Sequence, residues 1–179
     1  GGAVSLPLGN DVDTLSVTNP GRGLTFTDVD DLAIGVLTAG AIGLNVGGNL
    51  SQGGAITGSS LAVTASAGTV SLLNSGNNVA AATIANGNRN VNYVNAGPLA
   101  LGGLTMGVGN LVVNGNLTQT GPITGSSLGI TSLAGTINLP NAANNLDGLA
   151  ISNGGRLVSY NDSNNIAITT SGTLAVGTV

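Results

Sequence analysis

The word "ITGSSL" stands at Ile56–Leu61 and again at Ile123–Leu128, so the chain says one thing twice at an interval of 67. Its surroundings recur with it: "GNLSQGGAITGSSL" at Gly48–Leu61 becomes "GNLTQTGPITGSSL" at Gly115–Leu128. Working outward, the same shift aligns Ala67-Gly68-Thr69 with Ala134-Gly135-Thr136, Leu72 with Leu139, Asn77-Asn78 with Asn144-Asn145, and Asn86-Gly87 with Asn153-Gly154, with no gap. The rare residues keep the same interval. The three basic residues are Arg22, Arg89 and Arg156, and the three aromatics are Phe26, Tyr93 and Tyr160. The chain is therefore an internal repeat. It divides into a partial copy (1–48), a full copy (49–115) and a nearly full copy (116–179) of one 67-residue unit, within a single solenoid segment spanning 1–179.

Composition sets the class. Of 179 residues, 41% are hydrophobic and 6% charged, so the chain has the apolar content to fold and is not a disordered polyelectrolyte. Gly and Asn are abundant, while Lys and Glu, the helix formers of exposed surfaces, are absent. Gly, Asn or Ser interrupts every apolar stretch, so none approaches the length of a membrane-spanning helix. No basic, apolar leader opens the sequence, and we expect a piece of a longer or processed chain. A net charge of −4 with three scattered Arg argues against a nucleic-acid partner, whose backbone needs clustered cations. Zero Cys excludes a disulfide framework and a thiolate metal site.

Short alternating apolar pairs recur along the chain, among them Leu24/Phe26, Leu32/Ile34, Leu61/Val63, Val70/Leu72, Val91/Tyr93, Leu128/Ile130 and Ile137/Leu139. Alternation of period two marks half-buried strands, and the Gly-Asn, Asn-Gly and Ser-Gly words between them supply turns. The gapless repeat length points to stacked coils, since an insertion in one coil would spoil its fit on the next. The expected fold is all-β: a right-handed parallel β-helix, or β-solenoid, of about eight coils of about 22 residues, three coils and about ten strands per 67-residue unit. Alternate residues face inward, so Leu61 and Leu128 are expected in the core and Ser60 on the outer surface.

Few residues offer chemistry. With no His, Lys, Glu or Cys, most catalytic constellations cannot be assembled, and a Ser nucleophile has no base. No catalytic, cofactor-binding or metal-binding residue is assigned, and the protein is expected not to be an enzyme. The acidic residues gather at Asp11/Asp13 and at "TDVDD", which holds Asp28, Asp30 and Asp31. Their counterparts one unit later are not acidic, so no repeated acidic cage exists, and chelators are expected to leave stability unchanged. One weak Ca²⁺ site at Asp28–Asp31 is the functional alternative to a solvated turn. Phe26, Tyr93 and Tyr160 read as a ligand-stacking stripe or, the favoured reading, as bulky core fillers about 14 Å apart. Each Arg lies four residues before an aromatic, at a turn, where capping backbone carbonyls is favoured over contacting a carbohydrate. Asn49-Leu50-Ser51, Asn116-Leu117-Thr118 and Asn161-Asp162-Ser163 match the N-glycosylation acceptor pattern, which arises freely in a chain this rich in Asn, Ser and Thr.

The phrases "GNLTQTGPITGSSLGITSLAGTINLPNAANNLDGLAISNGG" and "GNLSQGGAITGSSLAVTASAGTVSLLNSGNN" resemble the filamentous-haemagglutinin-type repeats of large two-partner-secreted bacterial exoproteins. The resemblance implies a parallel β-helix, export through an outer-membrane partner β-barrel, an extracellular or cell-surface location, and a rod that holds an adhesive or toxic tip off the cell. Contact with a host or neighbouring cell would come from regions outside this segment. It implies no catalytic residues and no cofactor. "TNPGRG" at Thr18–Gly23 only distantly echoes the secretion-domain motif of that family, so no secretion role is carried over. Two functions follow as expectations: a shaft segment of a surface adhesin, or a subunit of a homopolymeric filament built by end-to-end self-association of solenoids. Thr25–Thr27 has the Thr-x-Thr form an ice-binding ladder requires, and its counterparts one and two units later lack it.

Overall fold

The structure, a computed structural model, describes residues 1–171. In chain order its strands are β1 (Val4–Asn10), β2 (Thr14–Asn19), β3 (Leu24–Asp28), β4 (Leu32–Ala39), β5 (Ala41–Val46), β6 (Leu50–Gln52), β7 (Ile56–Ala65), β8 (Val70–Leu72) and β9 (Asn78–Ala85). They continue as β10 (Val91–Asn95), β11 (Leu99–Thr105), β12 (Val108–Val113), β13 (Leu117–Gln119), β14 (Ile123–Ser132), β15 (Ile137–Leu139), β16 (Asn145–Ser152), β17 (Val158–Tyr160) and β18 (Ala167–Ser171). Among the described residues there is no helix. Each strand pairs in parallel with the strand two places further on, so odd-numbered strands stack into one wall and even-numbered strands into the other. The described residues form a parallel β-solenoid of nine two-stranded coils.

One column of stacked residues gives the coil length. Val4, Leu24, Ile42, Leu61, Ala82 and Leu101 lie over one another, their numbers rising by 20, 18, 19, 21 and 19. The mean step, about 19, is shorter than the 22 the sequence suggested, and the coil has two walls in place of three faces. The chain turns without a separate third strand because its longest strands bend around a corner. Ile56 and Thr57 of β7 stack on Leu37 and Thr38 of β4, whereas Ser60–Ala65 of the same strand stack on Ala41–Val46 of β5. One 67-residue unit accordingly holds seven strands, β6 to β12 in the copy at 49–115, where about ten were expected.

Seven strands make three and a half coils. Each strand's repeat counterpart is seven places later, an odd number, so it lies on the opposite wall: β7 belongs to the odd wall and its counterpart β14 to the even wall. Each strand nevertheless keeps corresponding neighbours: β7 pairs with β5 and β9, and β14 with β12 and β16.

The inward residues form a continuous apolar column. Leu61, Val63, Leu72, Ile84, Leu111, Leu128 and Ile130 are all buried, and the alternate residues Ala62 and Thr64 are exposed. Ser60, expected outside, is half-buried, covered by the stacked Ala41 and Ala81. The recurring words around "ITGSSL" are explained by polar groups inside the turns. Asn77 is fully buried, and its Oδ1 accepts from the Ile56 amide at 2.8 Å while its Nδ2 donates to the Leu72 and Val94 carbonyls at 3.2 Å. The Gln52 amide pairs with it in both directions. One unit on, Asn144, Ile123, Leu139 and Gln119 repeat the arrangement. A buried turn needs these bonds, because its backbone groups are out of reach of the wall ladders and of water. Gly54 and Gly121 mark the tightest stacking: a Cβ there would lie 1.7 and 1.8 Å from the carbonyl oxygens of Gly35 and Gly102 in the coil before.

Candidate functional site

The aromatics do not form a stripe. Phe26 lies on β3, Tyr93 on β10 and Tyr160 on β17, alternating between walls, with about 17 Å of solenoid axis between successive rings at about 4.8 Å per coil. Phe26 and Tyr93 are buried, facing inward as fillers of the core. The Arg residues occupy turns and are exposed. Arg89 donates to the Ser66 carbonyl at 3.0 Å and Arg156 to the Asn153 carbonyl at 2.9 Å, so both guanidinium groups cap backbone. The tight Arg turns need left-handed backbone, which Gly supplies at Gly87 (φ 55°) and Gly154 (φ 65°).

The sequon asparagines serve the turns as well. Asn49 Nδ2 donates to both carboxylate oxygens of Asp31, at 3.1 and 3.0 Å, and its Oδ1 accepts from the Thr69 amide at 2.9 Å. Asn116 accepts from the Thr136 amide at 3.0 Å in the same way. Asn161 is half-buried, and its carbonyl accepts from Asn144 Nδ2 at 2.8 Å.

Five of the seven acidic residues gather at neighbouring turns, after β1 and at the end of β3. The Asn49 side chain, and then the Asn49 amide, hold the Asp31 carboxyl below its ordinary range. Asp30 is raised, first by loss of surrounding water, then by the charges of Asp11 and Asp28. Among the described residues no three acidic side chains converge into a metal cage. The informative member is Asp28, which is buried at 2% exposure. Its Oδ1 accepts from the Val12 amide at 3.3 Å, but its Oδ2 is buried without any hydrogen-bond partner.

The repeat supplies the comparison. One unit later stands Asn95, whose Oδ1 accepts from the Val79 amide at 3.0 Å and from the Tyr93 hydroxyl at 3.1 Å. Its Nδ2 donates to the carbonyls of Val79, Gly97 and Pro98, at 3.2, 3.0 and 3.2 Å. Two units later stands Asp162, whose Oδ2 accepts from the Leu146 amide at 3.2 Å and from the Tyr160 hydroxyl, and whose Oδ1 accepts from the Asn164 amide at 3.0 Å. Both counterparts are satisfied with the help of a tyrosine. Asp28 has Phe26 there, which has no hydroxyl, so its Oδ1 keeps only the Val12 amide. The sequence alone shows Asp, Asn and Asp at the three counterpart positions, but not the burial that makes an unpaired carboxylate oxygen costly.

Elsewhere the described surface carries scattered exposed apolar side chains, among them Leu8, Leu73, Leu133 and Leu157. Shallow depressions on the outer walls are lined by small neutral residues such as Gly129, Ala150 and Thr169, or Ala80, Pro98 and Thr118.

Two consecutive stretches, 21–86 and 88–153, match the family described as repeats of unknown function (DUF5649). They cover 132 of the 179 residues. The chain belongs to this family. The two DUF5649 matches begin at positions 21 and 88, the same interval that separates the "ITGSSL" words. No curated protein and no solved structure matches the chain.

Proposed function

We propose that this DUF5649 chain is a structural shaft segment of a secreted or cell-surface bacterial adhesin or exoprotein, exported through an outer-membrane partner in the manner of filamentous-haemagglutinin-type proteins. It holds a functional tip away from the cell and carries no catalytic step of its own. One observation carries this reading: each 67-residue unit is three and a half coils whose two walls are interchangeable, so adding units lengthens the rod without changing its cross-section. The absence of His, Lys, Glu and Cys from the sequence, and the small neutral residues lining the outer walls, support a spacer over an enzyme.

The test is to make chains of two, four and six units and measure them by small-angle scattering and sedimentation. A shaft predicts monomers whose long dimension grows by about 17 Å per unit at constant cross-sectional radius. Surface labelling of the producing bacterium, with antibody raised against 1–179, checks the location. Concentration-dependent growth into fibres would favour the homopolymeric filament instead, and labelling confined to the cell interior would remove the adhesin reading.

A further inference from the structure

We propose that Asp28, with Asp30 beside it, holds one hard cation of the calcium class in the turn between β3 and β4. Three observations converge on this site. The first is the orphaned Oδ2 of Asp28, a carboxylate oxygen sealed from water with no donor facing it. A buried anionic oxygen without a partner is costly and needs a proton or a cation. The second is the company it keeps: the Asp28 and Asp30 side chains are within hydrogen-bonding reach of one another, and the charge of Asp11 acts on Asp30 from the neighbouring turn. Two facing carboxylates repel unless something positive lies between them.

The third is the repeat itself. Asn95 fills the same place with an amide that donates to the carbonyls of Val79, Gly97 and Pro98. The counterparts of those residues are Val12, Asp30 and Asp31. By the repeat register, Asp28 presents an acceptor where Asn95 presents a donor to backbone carbonyls. A set of carbonyl and carboxylate oxygens is a hard-cation environment, and its irregular geometry suits Ca²⁺, which takes six to eight oxygens, better than octahedral Mg²⁺. Only this copy carries the feature. Asn95 has no charge to balance, and both oxygens of Asp162 accept hydrogen bonds, from Leu146, Tyr160 and Asn164. A single unrepeated site of this kind replaces the expectation that chelators leave stability unchanged.

The experiment uses the full 179-residue chain and D28N, which installs the residue that the next copy carries at Asn95 and is expected to fold with an unchanged β-type circular dichroism spectrum. Calorimetric titration with CaCl₂ at pH 7 should show one site per chain in the parent and none in D28N. With CaCl₂ about 100-fold above Kd, the parent's melting midpoint should rise by about 5–10 °C over its value in EDTA. D28N should melt at one temperature in both. The proposal is overturned if the parent takes up no Ca²⁺ and melts identically in EDTA and CaCl₂, or if D28N binds as the parent does. Stabilisation of the parent by acidification to about pH 5 with no response to CaCl₂ also overturns it, since the two carboxyls would then share a proton.

Discussion

Tyr93 shows how one buried side chain sets both stability and its pH limit. Its ring fills the core and its hydroxyl donates to Asn95 Oδ1 at 3.1 Å. Y93F keeps the ring and deletes that bond, so it should cost about 1 kcal/mol at pH 7, read from urea unfolding. Burial also raises the hydroxyl far above the ordinary tyrosine range. Because the folded value is the higher one, the neutral phenol's stabilisation is full below about pH 10 and is lost as pH rises beyond it. The parent should therefore lose stability more steeply than Y93F between about pH 9 and pH 11. Some slope persists in Y93F, because Tyr160 is raised too, first by burial and then by its bond to Asp162. At Leu128, 1% exposed, substitution by Asp forces a carboxyl into the column and should cost several kcal/mol. T64D, on the exposed side of the same kind of strand, should stay within about 0.5 kcal/mol. Limited proteolysis should nick L128D near residue 128 and spare the first coils, because each coil touches only its neighbours. Equal damage from both substitutions would mean that both sides of the walls are buried.

At the scale of the element, the turn after β15 depends on Asn144 more than on any apolar residue in it. Asn144 serves Ile123 of β14, Leu139 of β15, Gln119 of β13 and the carbonyl of Asn161 beyond β17, so one amide ties four segments together. N144A leaves the Ile123 amide and both ends of Gln119 without this partner, and should cost about 3 kcal/mol. N138A, exposed on the outer side of β15, should be nearly neutral. The comparison in urea separates the two: if N144A were as mild as N138A, water would be reaching the turn and the buried network would not be holding it.

At the scale of the molecule, stability is a sum over coils and their interfaces, so the solenoid should accept a change of length that respects the repeat. Removing residues 49–115 joins β5 to β13, whose "LTQ" closely matches the "LSQ" of β6, the natural successor. This deletion should keep a β-type spectrum, unfold cooperatively, and shorten the maximum dimension in scattering by about 17 Å. Removing residues 49–82, about half a unit, leaves a strand facing a neighbour of the wrong length and should abolish cooperative unfolding. Equal tolerance of both deletions would show that coil register is not what the repeat preserves.

The sequence by itself determined that the chain repeats, that its strands are short and half-buried, and which residues face inward. Leu24/Phe26, Leu61/Val63, Val91/Tyr93 and Leu128/Ile130 were all legible from alternation, and all eight are buried. Period two is a local property of a strand, so local sequence carries it. The length of the coil was not legible, because a 67-residue unit divides plausibly by three, and nothing local reveals that β4, β7, β11 and β14 bend around a corner. Only the stacking register, a contact between residues about 19 apart, decided that the unit is three and a half coils and that Phe26, Tyr93 and Tyr160 alternate between walls. The same holds for the acidic turn. The sequence displayed Asp28, Asp30 and Asp31 as one more polar loop. The tertiary structure decided that Asp28 alone of the three is sealed in, since burial depends on the coil stacked above it, and that its Oδ2 is left without a donor.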